Sequence, residues 1–369
     1  MKIQVMPQDM VQEIGTCQRA ISNRTTMHIL ECIRFQAKGS GVILTATDLE
    51  LSIETRISCQ VMEEGTVVIP ANMIGNIFRK LPNDPAIVEE KGGIVTIDCG
   101  QVHFEIQVPN ASEFPALPDV EEESKTIVDN DALIQAVRET EFATSLDESK
   151  IALTGIFFER KNDRIRLVTL DGYRMAVREI LLPPEAEAFE KSAIVPKRAF
   201  NELARIIREG GTTTMALSTG YIYFSSGSIK MYSRLIDKNY IQYEEIISRE
   251  FKSKVILSRH AFQGALERAT ILAKEERANL IKLLFEEGNL NIQSNSEIGS
   301  VHEKVACQLE GGEITIAFNA KYLLDGIKAL NCEEVSLYLN GPLNPMVIHP
   351  AQDEDSYLYL VLPVRIASE

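Results

Sequence analysis

Residues 67–84 read VVIPANMIGNIFRKLPND: a short apolar strand, a break at Pro70, then an amphipathic helix. The same design returns twice. AIVPKRAFNELARIIREG fills 193–210 with its break at Pro196, and ITIAFNAKYLLDGIKALNCE fills 314–333 with its break at Asn319. Pro70 to Pro196 is 126 residues, Pro196 to Asn319 is 123, and one third of the 369-residue chain is 123. A second landmark keeps the interval. LTATDLELSI turns at Asp48, LVTLDGYRMAV turns at Asp171, 123 residues on, and NIQSNSEIGS places a third turn near Asn295, 124 further. A third landmark pairs the strand from Val102 with the strand from Ile229, both read as edge strands. The period exceeds a solenoid unit of roughly 20–50 residues and suits a chain of three similar domains.

Each unit opens with a helix, at 9–22, 131–144 and 258–274, and carries a second, at 72–81, 196–209 and 320–330. Asp131 and Ser258 are suited to N-caps. Between the helices the sequence alternates apolar and polar, as in VTIDCGQVHFEIQV (95–108). That pattern predicts antiparallel hairpins with one buried face, about eight strands per unit. The class is α+β: three tandem similar domains, each with two helices packed on antiparallel sheets. The acidic stretch at 118–127 and the segment at 248–256 serve as linkers, giving domains 1–121, 127–250 and 251–369.

An apolar fraction of 45% and a charged fraction of 25% describe a globular protein. No run of 18 apolar residues predicts a membrane span, and the N-terminus lacks a signal-peptide pattern, so a cytoplasmic, membrane-independent protein is expected. The six cysteines form no C-x-x-C pair, and the five histidines stand apart from other ligand types. Free thiols and no metal or cofactor are expected.

The net charge of −15 argues against a nucleic-acid partner until the charges are located. The six expected helices hold 13 basic and 9 acidic residues, which leaves 25 basic and 44 acidic elsewhere. The helices therefore carry +4 and the remainder −19. Two readings stay open. Lys and Arg, as good helix formers, decorate solvated faces; or the helices form one surface that meets a polyanion through phosphate contacts alone. No zinc finger, basic zipper or RNA-binding aromatic motif is present.

Catalytic signatures are also missing: no P-loop, no G-x-S-x-G, no H-E-x-x-H and no dinucleotide fingerprint. Two classes compete. One is a non-catalytic platform on a polyanion. The other is an enzyme with an acidic site built on Asp171, Tyr173 and Arg174. Apolar neighbours (Leu170, Met175, Val177) weigh against the second, and the equivalent place of Asp48 in another repeat gives both aspartates a turn-forming role.

Three equal domains, TDLE at 47–50, SEFPALP at 112–118, DGYRMAV at 171–177 and YLVLPVRI at 359–366 together resemble the bacterial sliding clamp, the beta subunit of DNA polymerase III. The resemblance runs from Met1 to Ile366. It implies a head-to-tail homodimeric ring with helices lining a hole, through which double-stranded DNA passes without sequence-specific contact. Twelve helices at roughly 10 Å each make a circle about 38 Å across at the helix axes, leaving roughly 28 Å clear. The resemblance implies a processivity factor with no activity of its own. Its partners would be the polymerase III alpha subunit, the clamp loader, other polymerases, mismatch-repair proteins and ligase, all docking through short linear motifs.

The resemblance carries a peptide-docking pocket, between the second and third domains, onto Leu153, Leu170, Gly172, Tyr173, Arg174, Met175, Ile241, Ile246, Asn319, Tyr322, Leu360, Leu362, Pro363, Val364 and Arg365. Arg174 and Arg365 would orient the peptide there. It implies DNA-facing roles for Arg24, Arg79, Lys80, Arg138, Lys197, Arg198 and Arg205. A dimer contact is implied between Phe104 and Ile106 of one chain and Ile271 and Leu272 of the next. Three pocket positions depart from the family pattern: Ile241 where many relatives have Pro, Glu245 where some have a basic residue, and Leu170 in place of a common Thr. In the loop holding Arg24, Thr25 and His28 replace the usual prolines, and Ala367–Glu369 extends past the usual end.

Overall fold

Six amphipathic stretches become the principal helices, each burying one stripe. Pro7–Gln18 buries Met10, Ile14 and Cys17, and Ala71–Phe78 buries Ile74, Ile77 and Phe78. Lys197–Ile206 buries Ala199, Phe200 and Leu203, and Arg259–Ala273 buries Phe262, Leu266 and Ala269. Asn130–Thr140 and Ala320–Ala329 complete the set. Each set holds residues three or four apart, as helical burial requires. A computed structural model describes residues 1–22, 25–118, 125–183, 190–248, 250–275 and 279–365.

The helices are shorter than the sequence pattern suggested. The first begins at Pro7, where a proline without an N–H costs nothing, and ends at Gln18 rather than 22. The helix expected over 131–144 stops at Thr140 and tightens into a 3₁₀ turn at Glu141–Ala143. Ser258 caps its helix, accepting the Ala261 N–H at 3.4 Å. Asp131 lies inside its helix instead, and its carboxylate accepts the Gly210 N–H.

Among the described residues the strands form three antiparallel sheets. Unit one, Met1–Asp131 with Arg198–Leu235, holds two of them. Its five-stranded sheet runs Gln60–Glu63, Lys2–Val5, Ala86–Lys91, Ile94–Cys99, Val102–Gln107. Its eight-stranded sheet joins strands of the first repeat to strands of the second through Leu51–Ser58 and Ile229–Arg234, paired Ile53 to Met231. The strand from Ile229 is thus interior, not an edge; the neighbouring repeat covers it. The strand from Val102 is an edge, bonded only to Ile94–Cys99 among the described residues.

Unit two, Ala132–Lys197 with the chain from Ile236 onward, holds a twelve-stranded sheet. Here Arg174–Leu181 of the second repeat pairs with Tyr357–Val361 of the third, Met175 opposite Leu360. Strand Gly299–Glu310 pairs with Asn289–Ser296 from Gly299 to Ala306 and with Ser253–Ser258 from Cys307 to Glu310. The outer side of Gly299–Glu303 has no strand partner among the described residues. The third turn lies two residues beyond Asn295: Asn295 sits in a strand opposite Ser300, and the hairpin closes at Glu297 and Ile298.

Helix Ala320–Ala329 lies directly on Tyr359. A Cβ at Gly326 would stand 2.2 Å from a ring carbon of Tyr359, so no side chain fits between helix and ring. The Tyr359 hydroxyl donates to the Tyr322 carbonyl oxygen at 2.7 Å, which fixes the ring.

Candidate docking site

The turn at Asp171 is built by its own carboxylate. Oδ1 accepts the N–H groups of Tyr173 at 2.9 Å and Arg174 at 3.1 Å, and Gly172 takes φ +95°. The turn at Asp48 repeats this. Its Oδ1 accepts from Glu50 and Leu51, and Leu49 takes φ +76°. The second oxygens differ: Asp171 Oδ2 accepts from Arg174 Nε at 3.0 Å, and Asp48 Oδ2 accepts from Arg198. Both carboxylates are occupied by turn formation and an arginine.

Strand pairing decides which pocket residues can share a surface. Leu170, Met175, Leu360 and Val347 stand opposite one another in one row, so their side chains share one face. With Leu153, Val168, Val177 and Tyr243 they form an apolar cluster. Close to members of this cluster in the chain, Tyr173 (59% exposed), Ile241 (46%), Ile246 (41%) and Leu362 (37%) leave large apolar surface in solvent. A buried apolar floor with an exposed apolar rim is a surface made for apolar anchors.

Arg174 is on the other face, because successive strand residues alternate. Its guanidinium has three partners: Asp171, Asp325 Oδ2 at 2.7 Å and the Phe142 carbonyl oxygen at 2.9 Å. The group also lies 4.5 Å from the Tyr322 ring centre and 5.5 Å from that of Phe142. The side chain expected to orient a peptide is therefore engaged within its own fold. Tyr173 stacks on Tyr322 at 6.0 Å, with Leu146, Lys150, Lys321 and Asp325 bordering a cavity of about 660 Å³ beside it.

The remaining expected residues divide by role. Asn319 caps helix Ala320–Ala329, its side-chain oxygen accepting the Lys321 N–H at 3.0 Å. The Leu362 N–H donates to the Tyr173 carbonyl oxygen at 2.9 Å, and Val364 donates to Ala317. Pro363 is half-buried and Arg365 exposed. No local pattern singles out Phe157, Tyr240 and Tyr243. Tyr240 stacks flat on Phe157 at 4.6 Å, and its hydroxyl reaches the Val168 carbonyl oxygen at 3.3 Å. The Tyr243 hydroxyl donates to Glu159 at 3.0 Å. These rings clamp the segment carrying Ile241 and Ile246 onto the sheet.

Beyond Tyr243, a cavity of about 390 Å³ is lined by Arg166, Glu179, Glu244, His349 and Glu354. His349 Nδ1–H donates to the carbonyl oxygens of Glu354 and Tyr357, both at 2.8 Å, and burial lowers its pKa. The unfolded chain takes up this proton near pH 6.5, the native chain only lower. Stability from this group is therefore complete above about pH 6.5 and falls as the pH drops through the window below it. Calorimetry from about pH 7.5 to 5.5 should show unit two melting earlier in acid, and His349→Gln should flatten that slope. His103 has the opposite sign. Asp98 at 2.6 Å and Glu105 at 3.3 Å raise its pKa, so its contribution fades as pH rises through that raised value.

Among the residues expected to face DNA, Arg79, Lys80, Arg138, Arg198 and Arg205 are exposed and Lys197 is half-buried. Lys197 pairs with Glu141 at 2.7 Å, Arg205 with Glu202 at 3.2 Å, and Arg198 with Asp48 and the Arg19 carbonyl oxygen. Arg24 lies outside the described residues, as does Ala367–Glu369. At the expected dimer contact, Ile271 is 67% exposed and Phe104 half-buried, but Ile106 is 5% exposed. Ile106 faces inward opposite Val95 and has little surface left to bury against a partner.

No helix among the described residues is long and apolar enough to cross a membrane, and no group of three or more His, Cys, Asp or Glu among them could hold a metal ion.

Three consecutive family profiles cover the chain: the N-terminal domain of the DNA polymerase III beta subunit at 1–118, the central domain at 127–242 and the C-terminal domain at 244–365. The beta sliding clamp of Bacillus subtilis is 31% identical, matching 99% of this chain and 100% of its own. That of Synechococcus elongatus is 31% identical over 100% of both chains. A crystal structure of the Bacillus subtilis DNA polymerase sliding clamp superposes with a TM-score of 0.96 at 29% identity over 100% of both chains. With its repeats, its joined sheets and its whole length accounted for, the chain belongs to the bacterial sliding-clamp family, the beta subunits of DNA polymerase III.

Proposed function

We propose that this chain is a non-catalytic processivity factor: two copies close head to tail around duplex DNA, and the ring tethers partner proteins through the apolar site around Leu170, Met175 and Leu360. The observation that carries the docking part is the exposed apolar rim of Tyr173, Ile241, Ile246 and Leu362 over a buried apolar floor. Closure is supported by two sheet edges that lack a strand partner on their outer side among the described residues, Val102–Gln107 in unit one and the start of Gly299–Glu310 in unit two. Edge strands of this kind pair readily with another chain, and two different edges make the contact heterologous.

Domains at 1–121, 127–250 and 251–369 would repeat to six around the ring. Arg79, Lys80, Arg138, Arg198 and Arg205 would meet phosphate, an attraction that is non-specific and salt-dependent. Many of the basic groups already have acidic partners, which suits a grip loose enough to slide. The docked partners would be the polymerase alpha subunit, the clamp loader, other polymerases, mismatch-repair proteins and ligase, in the cytoplasm where replication proceeds. Loading onto nicked circular DNA tests the topology. Protein should stay with the circle through gel filtration in high salt and leave when one cut linearises it. Retention on the linear form would defeat the encircling function.

A further inference from the structure

We propose that Asp325 is a positioning residue of the docking site, a role that rests on the docking function proposed above. Arg174, 8% exposed, reaches three elements at once. Nε bonds Asp171 in the turn, Nη2 bonds the Phe142 carbonyl oxygen in the Glu141–Ala143 turn, and Nη1 bonds Asp325 in helix Ala320–Ala329. Asp325 is the only one of the three on the helix that carries Tyr322. The same oxygen of Asp325 accepts Lys321 Nζ at 2.7 Å, so its carboxylate is fixed from two sides.

The consequence falls on Tyr173. Its ring, 59% exposed, rests on Tyr322, which also faces the Arg174 guanidinium at 4.5 Å. Asp325 thus fixes the position of Arg174 against Tyr322, and Tyr322 supports the rim residue. Asp325 itself reaches no part of the apolar floor, which lies on the opposite face of the sheet. It acts through Tyr173 alone, and the other rim residues, such as Ile246, are independent of it.

A double-mutant cycle reads this directly, because residues that act through one another give non-additive effects and independent ones add. The probe is a short fluorescein-labelled peptide with Leu and Phe anchors, titrated with full-length protein by anisotropy. Asp325→Asn keeps the shape and removes the charge; it should weaken binding about tenfold, as expected for one charge-assisted bond. In a Tyr173→Ala background the same change should have almost no further effect. In an Ile246→Ala background it should retain its full tenfold. Equal losses in all three backgrounds, or no loss at all, overturn the positioning role. If Tyr173→Ala and Ile246→Ala each leave binding unchanged, the docking function itself fails, a result distinct from failure of Asp325 alone.

Discussion

Gly326→Ala should lower the unfolding temperature of unit two by about 4–8 °C, although alanine is the better helix former. Propensity alone favours the change by about 1 kcal/mol. Against this stands a Cβ placed 2.2 Å from a ring carbon of Tyr359. That ring is fully buried, and its hydroxyl is bonded to the Tyr322 carbonyl oxygen, so it has no free side to move toward. Overpacking a filled core costs about 1–3 kcal/mol and more when the neighbour cannot yield. Helix Ala320–Ala329 must instead lift from the sheet, which leaves a net loss of about 2 kcal/mol. Calorimetry of the two proteins decides it: an unchanged or raised melting temperature would show that the helix shifts freely.

Arg174→Ala should be at least as damaging, for an electrostatic reason. The substitution removes one cation that Asp171, Asp325 and the Phe142 carbonyl oxygen share, leaving Asp325 with Lys321 and Asp171 with the turn N–H groups alone. Breaking a largely buried ion pair from one side costs about 3–5 kcal/mol; the part-exposed Asp325 places this case near 3. For a unit of this size that corresponds to a fall of roughly 6–12 °C. Arg174→Lys should recover only part, because a single ammonium cannot reach three acceptors in the guanidinium plane. A lysine variant as stable as the parent would show that charge alone, and not the fork geometry, holds the three elements together.

Much of this fold is legible in the chain because the repeats fix its periodicity. Helices were expected at all six principal positions, and the Ser258 cap was recognisable from residue type and place. Helix ends were overrun: Gln18 and Thr140 are followed by residues that continue an apolar pattern while the backbone tightens or leaves the helix. The Asp48 and Asp171 turns could be matched because an Asp-built turn has a side-chain signature. The third hairpin closes between Glu297 and Ile298, which carry none. Alternation along a strand sends Arg174 and Met175 to opposite faces, which their adjacent numbers alone make readable. The partner that explains Arg174 is 151 residues away in Asp325, and no local pattern announces such a pairing. The same holds for Tyr240 on Phe157, two residues that look like ordinary core aromatics until the connecting segment folds over the sheet.

The seams Ile53–Met231 and Met175–Leu360 also bear on how the chain can be handled. Its repeats are units of sequence but not units of cohesion. A central repeat excised at its linkers would lose a neighbouring strand from each of its two sheets. It would present Ile229–Arg234 and Arg174–Leu181 as raw hydrogen-bonding margins, a shape that sticks to copies of itself. Fragments intended to remain soluble should be cut so that each seam stays whole, or should carry charged substitutions along the bared strand.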